Sequence, residues 1–156
     1  MIGCEPFVNG VASLVERVTA LGLANVRIHA DDARPLLAAL DDASIDRAFV
    51  LFPDPWPKAR HANRRFIGPG NLPALARVLG DGADLLVASD DLGHVEWLRG
   101  QLGLSPAFAL VAAVDQRPAD WPPTRYEAKA LRAGRRPVYF HWRRRPREAP
   151  PGIERA

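Results

Sequence analysis

Leu51-Phe52-Pro53-Asp54-Pro55-Trp56-Pro57-Lys58-Ala59-Arg60-His61-Ala62-Asn63-Arg64-Arg65 is the stretch on which the reading of this chain turns. The apolar run over residues 48–52 that leads into it has the composition of a strand buried on both faces, as parallel strands are. It stops where three prolines, each fixing φ and removing an N–H donor, stiffen the backbone around an acid and an indole. Lys58, Arg60, His61, Arg64 and Arg65 follow with no acid among them, so Asp54 and Trp56 open onto a local field of positive charge. That pairing suggests a nucleobase pocket beside a phosphate track.

Working outward, residues 2–5 read as the end of a strand. Pro6-Phe7-Val8-Asn9 then turns into a helix in which Val11, Leu14, Val15, Val18 and Leu21 keep helical spacing as far as Gly22. Residues 26–30 form a second short strand, and Asp31-Asp32-Ala33 opens a helix with Pro35 in its first turn, where a missing N–H costs little. Residues 45–52 are the third strand. Downstream, Leu72, Leu75, Ala76, Val78 and Leu79 mark a helix closed by Gly80, and residues 83–88 form a fourth strand ending at Ser89-Asp90-Asp91. Leu92, Val95, Leu98 and Leu102 are spaced for another helix, and residues 108–114 are a candidate strand. Residues 117–123 read as a loop, 124–134 as a short helix or turn, and 138–142 as a last strand. Strands alternating with helices define an α/β sheet with crossover connections.

A chain of 156 residues, 47% of them hydrophobic, has the length and composition of one domain with a real core. That domain is expected over residues 1–142, with residues 143–156, rich in Arg and Pro, a disordered tail. Net charge is only +3, but the cations are clustered: residues 58–65 first, then Arg132, Arg135, Arg136, Arg143, Arg144, Arg145 and Arg147. Clustering fits a polyanionic partner; for the C-terminal run, the base composition of a GC-rich genome is the plainer alternative. The single Cys4 cannot form an internal disulfide and reads as a buried thiol. No apolar run approaches the roughly 20 residues of a membrane span, and the first five residues lack a basic segment leading into an apolar one. A cytoplasmic protein, with neither membrane nor metal as a partner, is the expectation.

In open α/β sheets ligands sit beyond the carboxyl ends of the strands, and Glu5, Asp32, Asp54 and Asp90 all stand there. Glu5 is placed to accept hydrogen bonds from both ribose hydroxyls of a nucleoside cofactor. An Asp-Asp pair before a helix is also an ordinary cap, so Asp32 has two readings.

The run Phe52-Pro53-Asp54-Pro55-Trp56-Pro57-Lys58-Ala59-Arg60-His61, followed by Arg64-Arg65, resembles the signature of the bacterial tRNA (guanine-46-N7)-methyltransferases. Ile2-Gly3-Cys4-Glu5-Pro6-Phe7, Ala88-Ser89-Asp90 and Thr124-Arg125-Tyr126-Glu127 extend the resemblance over nearly the whole chain. It implies a Rossmann-like α/β fold dependent on S-adenosylmethionine, and tRNA as substrate. It puts Glu5 on the cofactor's ribose, Asp32 at its adenine end and Asp54 at both cofactor and catalysis. Lys58, Asp90 and the segment Thr124, Arg125 and Glu127 fall to substrate binding; on such a substrate Lys58, Arg60, Arg64 and Arg65 would contact tRNA phosphates, with His61 assisting. Phosphate contacts of that kind position the RNA without selecting a base. Trp56 either packs near the base or braces the loop, bracing being the commoner use of an indole in a rigid Pro loop.

The sequence departs from the family's pattern in three places. Asp91 stands where an aromatic commonly follows Asp90, and Tyr126 replaces the commoner Phe. The third departure is larger: the chain lacks the first strand and the Gly-rich turn whose N–H groups cradle the cofactor. In the family that strand lies centrally, between the strand ending at Glu5 and the one ending at Phe52. The sequence thus resembles the C-terminal part of the enzyme, and a noncatalytic RNA-binding fragment is the chief alternative. An adenine or cytosine amino-methyltransferase is a third reading, set against by the Lys58-Ala59-Arg60-His61 that follows the loop.

Overall fold

The computed structural model describes residues 1–147 of the chain. They fall into two compact units, Met1–Asp41 and the chain from Asp42 onward. In the first, strand β1 (Ile2–Cys4) and strand β2 (Arg27–His29) pair in parallel, with helix α1 (Val8–Ala20) as the crossover and helix α2 (Ala33–Ala39) after β2. Gly22 stops α1 as its sequence predicts: at φ +60° it lets its own N–H bond the Thr19 carbonyl while Leu23 N–H bonds that of Val18. Val26 and Leu37 are the buried hydrophobic residues of this unit. Cys4, expected to be buried, is free and exposed; partial burial and then the charge of Asp32 raise its thiol pKa.

The second unit holds strands β3 (Ile45–Leu51), β4 (Leu79–Ser89), β5 (Phe108–Val114) and β6 (Val138–Arg144), with helices α3 (Leu72–Val78), α4 (Leu92–Leu104) and α5 (Arg125–Arg132). Spatial order is β3-β4-β6-β5, with β3 parallel to β4 and β6 antiparallel to both its neighbours. β1 and β3, the strands expected to flank a central one, belong to separate sheets. The core sits here: Leu85, Val87, Leu98, Leu102, Phe108 and Phe140 are all almost wholly shielded. Nearer the carboxyl end of β3, Leu86, Ala88, Trp121 and Tyr139 form a cluster against which Leu51 and Phe52 pack.

Several boundaries shift from the sequence expectation, β2 to Arg27–His29 and β3 to an end at Leu51 among them, and two shifts have larger consequences. Gly80 does not close α3, because β4 begins at Leu79 and takes Gly80 into the strand. The left-handed glycine is Gly82 (φ +80°), where the β3–β4 register jumps from Ile45↔Leu79 to Arg47↔Asp84. The expected tail from Arg143 is strand as far as Arg144, whose buried guanidinium donates from Nε to the Ala76 carbonyl. Arg147 donates to the Ala76, Arg77 and Leu79 carbonyls and pairs with Asp81, so these two arginines satisfy the C-terminal end of α3. The rest of the expected tail lies outside the described residues.

Candidate active site

The Pro-Asp-Pro-Trp loop is held from beneath. Phe52 extends the β3–β4 ladder by donating its N–H to the Ala88 carbonyl, and its ring meets Tyr139 edge-on at 6.5 Å. Phe52 (φ +54°) and Trp56 (φ +42°) both adopt left-handed backbone, a conformation that costs a non-glycine residue about 1–3 kcal/mol and persists only where surrounding contacts impose it. Arg65 supplies such contacts: Nε donates to the Pro55 carbonyl at 2.9 Å and Nη2 to that of Trp56 at 3.0 Å. Its guanidinium also lies 4.4 Å from the centre of the Trp97 ring, and Trp97 is anchored by donating to the Ile67 carbonyl. Arg65 was expected on a tRNA phosphate; the structure uses it to clamp the loop that carries Asp54.

Ala59–Arg64 is a 3₁₀ helix with Lys58 at its N-cap. Three residues per turn bring His61 and Arg64 to one side, and both meet Trp56: the imidazole edge-on at 5.6 Å, the guanidinium 4.8 Å from the ring. Trp56 is thus in the bracing arrangement. Lys58, Arg60 and Arg64 are exposed along this helix.

Beside the loop lies an open cavity of about 530 Å³. Residues 52–55 form one side with Asp90, Asp91 and Leu92, and Tyr126, Lys129 and Arg135 complete it. Asp54 is exposed there and, among the described residues, no bond draws its carboxylate into the protein, whereas Asp90 is paired with Arg135 at 2.6 Å. Asp91 caps α4 by accepting from His94 N–H. Beneath it, His94 is wholly buried, with Nδ1 3.2 Å from Ser89 Oγ. Burial and then the positive charge of Arg65 depress the pKa of His94, partly offset by Asp91, so the ring is neutral.

The segment beginning at Thr124 is bound into the fold by its own side chains. Thr124 caps α5 by accepting from Glu127 N–H, and Arg125 stacks on Tyr126. Glu127 is buried and accepts from Arg117 Nε at 3.1 Å and from Tyr139 O–H at 2.7 Å. Burial and then Glu127 raise the Tyr139 pKa. Of these four residues Tyr126 lines the cavity; Thr124 caps the helix, and Glu127 ties it to β6 through Tyr139. Thr-x-x-Glu is the pattern of a helix N-terminus, and it was the available signal. Lys129 and Arg135 were missed as cavity residues, because their spacing brings them to one wall only once α5 has formed and turned.

In the first unit, Glu5 and Asp32 follow two parallel strands at the same end. Glu5 Oε1 accepts from Phe7 N–H, and a Cβ on Gly10 would come within 2.6 Å of the carboxylate carbon. A glycine there leaves the carboxylate room over the start of α1, which fits an acceptor for sugar hydroxyls. Asp32 fits less simply: one oxygen accepts from Arg34 N–H and the other from Arg34 Nη1, so it caps α2. To meet a ligand it would exchange part of that pairing. Among the described residues no cluster of His, Cys, Asp or Glu could hold a metal ion, and no helix is long and apolar enough to cross a membrane.

The architecture matches solved structures. An rRNA methylase from Streptococcus thermophilus is similar at a TM-score of 0.60 and 14% identity, over 93% of this chain and 73% of that one. A SAM-dependent O-methyltransferase from Thermotoga maritima gives 0.56 and 16%, over 96% of this chain and 51% of the other. The fold is therefore a Rossmann-like methyltransferase fold. Residues 1–140 match the family model described as "Putative methyltransferase", and the chain belongs to that methyltransferase family. It is 50% identical to the tRNA (guanine-N(7)-)-methyltransferase of Rhodospirillum rubrum over 97% of its length, and 55% identical to that of Paramagnetospirillum magneticum over 94%. The chain spans 61% and 63% of those two relatives' lengths.

Proposed function

We propose that this chain carries the guanine-binding part of a tRNA (guanine-46-N7)-methyltransferase that uses S-adenosylmethionine. The observation that supports this best is the exposed carboxylate of Asp54 on a cavity of ligand size, with a basic 3₁₀ helix directly behind it. S-adenosylmethionine supplies a methyl group activated on a sulfonium. Guanine N7 already presents a lone pair, so the chain's residues need only place it in line and tolerate charge moving onto the base; no general base is required. Asp54 accepts from the guanine N1 and N2 hydrogens, which aims N7 and favours the methylated cation. Lys58, Arg60 and Arg64 take tRNA phosphates, Glu5 takes ribose hydroxyls, and the cytoplasm is the place of action.

A second reading, RNA binding without catalysis, is favoured by the separation of β1 from β3 into two sheets and by the engagement of both Asp32 oxygens with Arg34. Two measurements on the chain separate them: calorimetric titration with S-adenosylmethionine, and mapping of 7-methylguanosine in a tRNA transcript after incubation with it. Product at position 46, absent when adenosine stands there, supports the first reading. Retained tRNA binding without cofactor binding or product supports the second.

A further inference from the structure

The cavity is charged asymmetrically. Asp54, Asp90 and Asp91 stand at the carboxyl ends of β3 and β4, while Lys129 and Arg135 are the cations on its lining, both contributed by α5 and the turn after it. Arg135 is held in place by backbone. α5 ends at Arg132 and Ala133 caps it; Gly134, at φ +70°, donates its N–H to the Leu131 carbonyl, and Arg135 N–H bonds that of Ala130 at 3.0 Å. This reversal, possible without strain because residue 134 is glycine, delivers the guanidinium to Asp90. The ion pair uses Nε, at 2.6 Å from Asp90 Oδ2. A guanidinium has five N–H donors, so the four on Nη1 and Nη2 remain outside that bond, and the side chain is 47% exposed.

We propose that Lys129 and Arg135 form an anion subsite that takes the phosphate flanking the target guanosine, with Arg135 releasing Asp90 toward the base as it does so. A nucleotide carries both groups the cavity is charged for: N–H donors on the base edge for the acids, a phosphate for the cations. The planar fork of Arg135 matches two phosphate oxygens better than the single bond it makes to Asp90. In the substrate-free protein the ion pair keeps either charge from standing unpaired on the cavity wall. The inference rests on the reading of this cavity as a guanine site.

The test compares guanosine with guanosine 5′- and 3′-monophosphate, titrated into the chain and followed by NMR shifts of the cavity residues. At least one nucleotide should bind about tenfold more tightly than the nucleoside, the difference expected of a charged hydrogen-bonded contact. Arg135→Gln should abolish that preference while raising guanosine affinity, because Asp90 is then free of its ion pair without a phosphate, and Lys129→Gln should reduce the preference. A preference that is absent, or that survives Arg135→Gln, overturns the subsite. So does an Arg135→Gln effect confined to S-adenosylmethionine, which would assign the cations to the cofactor's carboxylate. Mobility shift with tRNA, measured separately, reports on the proposed RNA substrate: loss of tRNA binding with the nucleotide preference intact overturns that reading and leaves the subsite standing.

Discussion

Helices α1 and α4 are each 13 residues long, and both carry apolar residues at helical spacing. α4 buries His94, Val95, Leu98 and Leu102, whereas α1 buries no residue and leaves Val8 81% and Val15 46% exposed. The difference lies in what each helix has to pack on. α4 runs between β4 and β5 of a four-stranded sheet, and α1 between the two short strands of a two-stranded one. Periodicity records which face a helix would bury, and the sheet beside it decides whether that face leaves water.

The largest expected effect is therefore a contrast in stability. Leu98→Ala removes a fully shielded side chain and should cost about 2–5 kcal/mol, while Val15→Ala should cost less than about 0.5 kcal/mol. Urea denaturation of the two variants measures both. Equal losses would break the comparison and require α1 to be packed in solution.

A second contrast is chemical, between Asp54 in one unit and Glu5 in the other. On the proposed contact with guanine, Asp54→Asn would set a donor amide against donors of the base and should cost about 2–4 kcal/mol of transition-state stabilisation with little change in cofactor affinity. Glu5→Gln should do the reverse, weakening S-adenosylmethionine by about 1.5–3 kcal/mol through loss of a charged acceptor. Single-turnover rates and calorimetry, in whatever form of the protein methylates tRNA, separate the two. If both variants fail in the same measurement, the division of labour between the units is wrong.

The sequence reading succeeded where local composition decides structure. The apolar run from residue 48 lies in β3 as far as Leu51 and residues 83–88 lie in β4, Gly22 and Gly134 end helices, and Asp54 and Asp90 stand just beyond their strands. Local composition says less about a residue whose type is ambiguous and whose partners lie far along the chain. Arg65, Arg144 and Arg147 have the composition of an RNA surface, yet their donors go to backbone carbonyls of a strained loop and of α3. Nothing local distinguishes Arg65 from Arg60; the difference is made by Trp97, 32 positions further on, whose ring offers a seat for one guanidinium. The same applies to Glu127, whose carboxylate looks available until Tyr139 and Arg117 are brought to it.

That distinction can be sharpened inside the basic segment itself. Replacing Arg60 by Ala should lower the log–log salt slope of tRNA binding by about 0.7–0.9, the signature of one lost phosphate contact. Arg65→Ala should leave the slope unchanged while speeding proteolysis or amide exchange over residues 53–58, because two carbonyls lose their clamp. A flattened slope in Arg65→Ala would return that residue to the RNA surface.

The smallest expected effect is a pH dependence confined to the second unit. His94 is wholly buried, its Nε2 finds no hydrogen-bond partner among the described residues, and its Nδ1 faces Ser89 Oγ. Charging the ring would place a cation out of water and near Arg65, so the folded-state pKa lies below the ordinary 6.5. Between those two values the unfolded chain binds a proton that the folded chain refuses. The neutral-ring contribution is then complete above about pH 6.5 and is lost as pH falls from there toward the folded value, with a slope of at most about 1.4 kcal/mol per pH unit. Asp91, the acid that partly offsets the shift, narrows the window from below. His94→Gln fills similar space without titrating, so its stability should fall less steeply between pH 6.5 and 5 than that of the parent, whatever its absolute value. Because His94 lies in the first turn of α4, bonded through its N–H to the capping Asp91, protonation should loosen this end of the helix first. Amide exchange at residues 91–95, followed across the same pH range, should accelerate in the parent and not in the variant; identical profiles would mean that the acid sensitivity arises elsewhere.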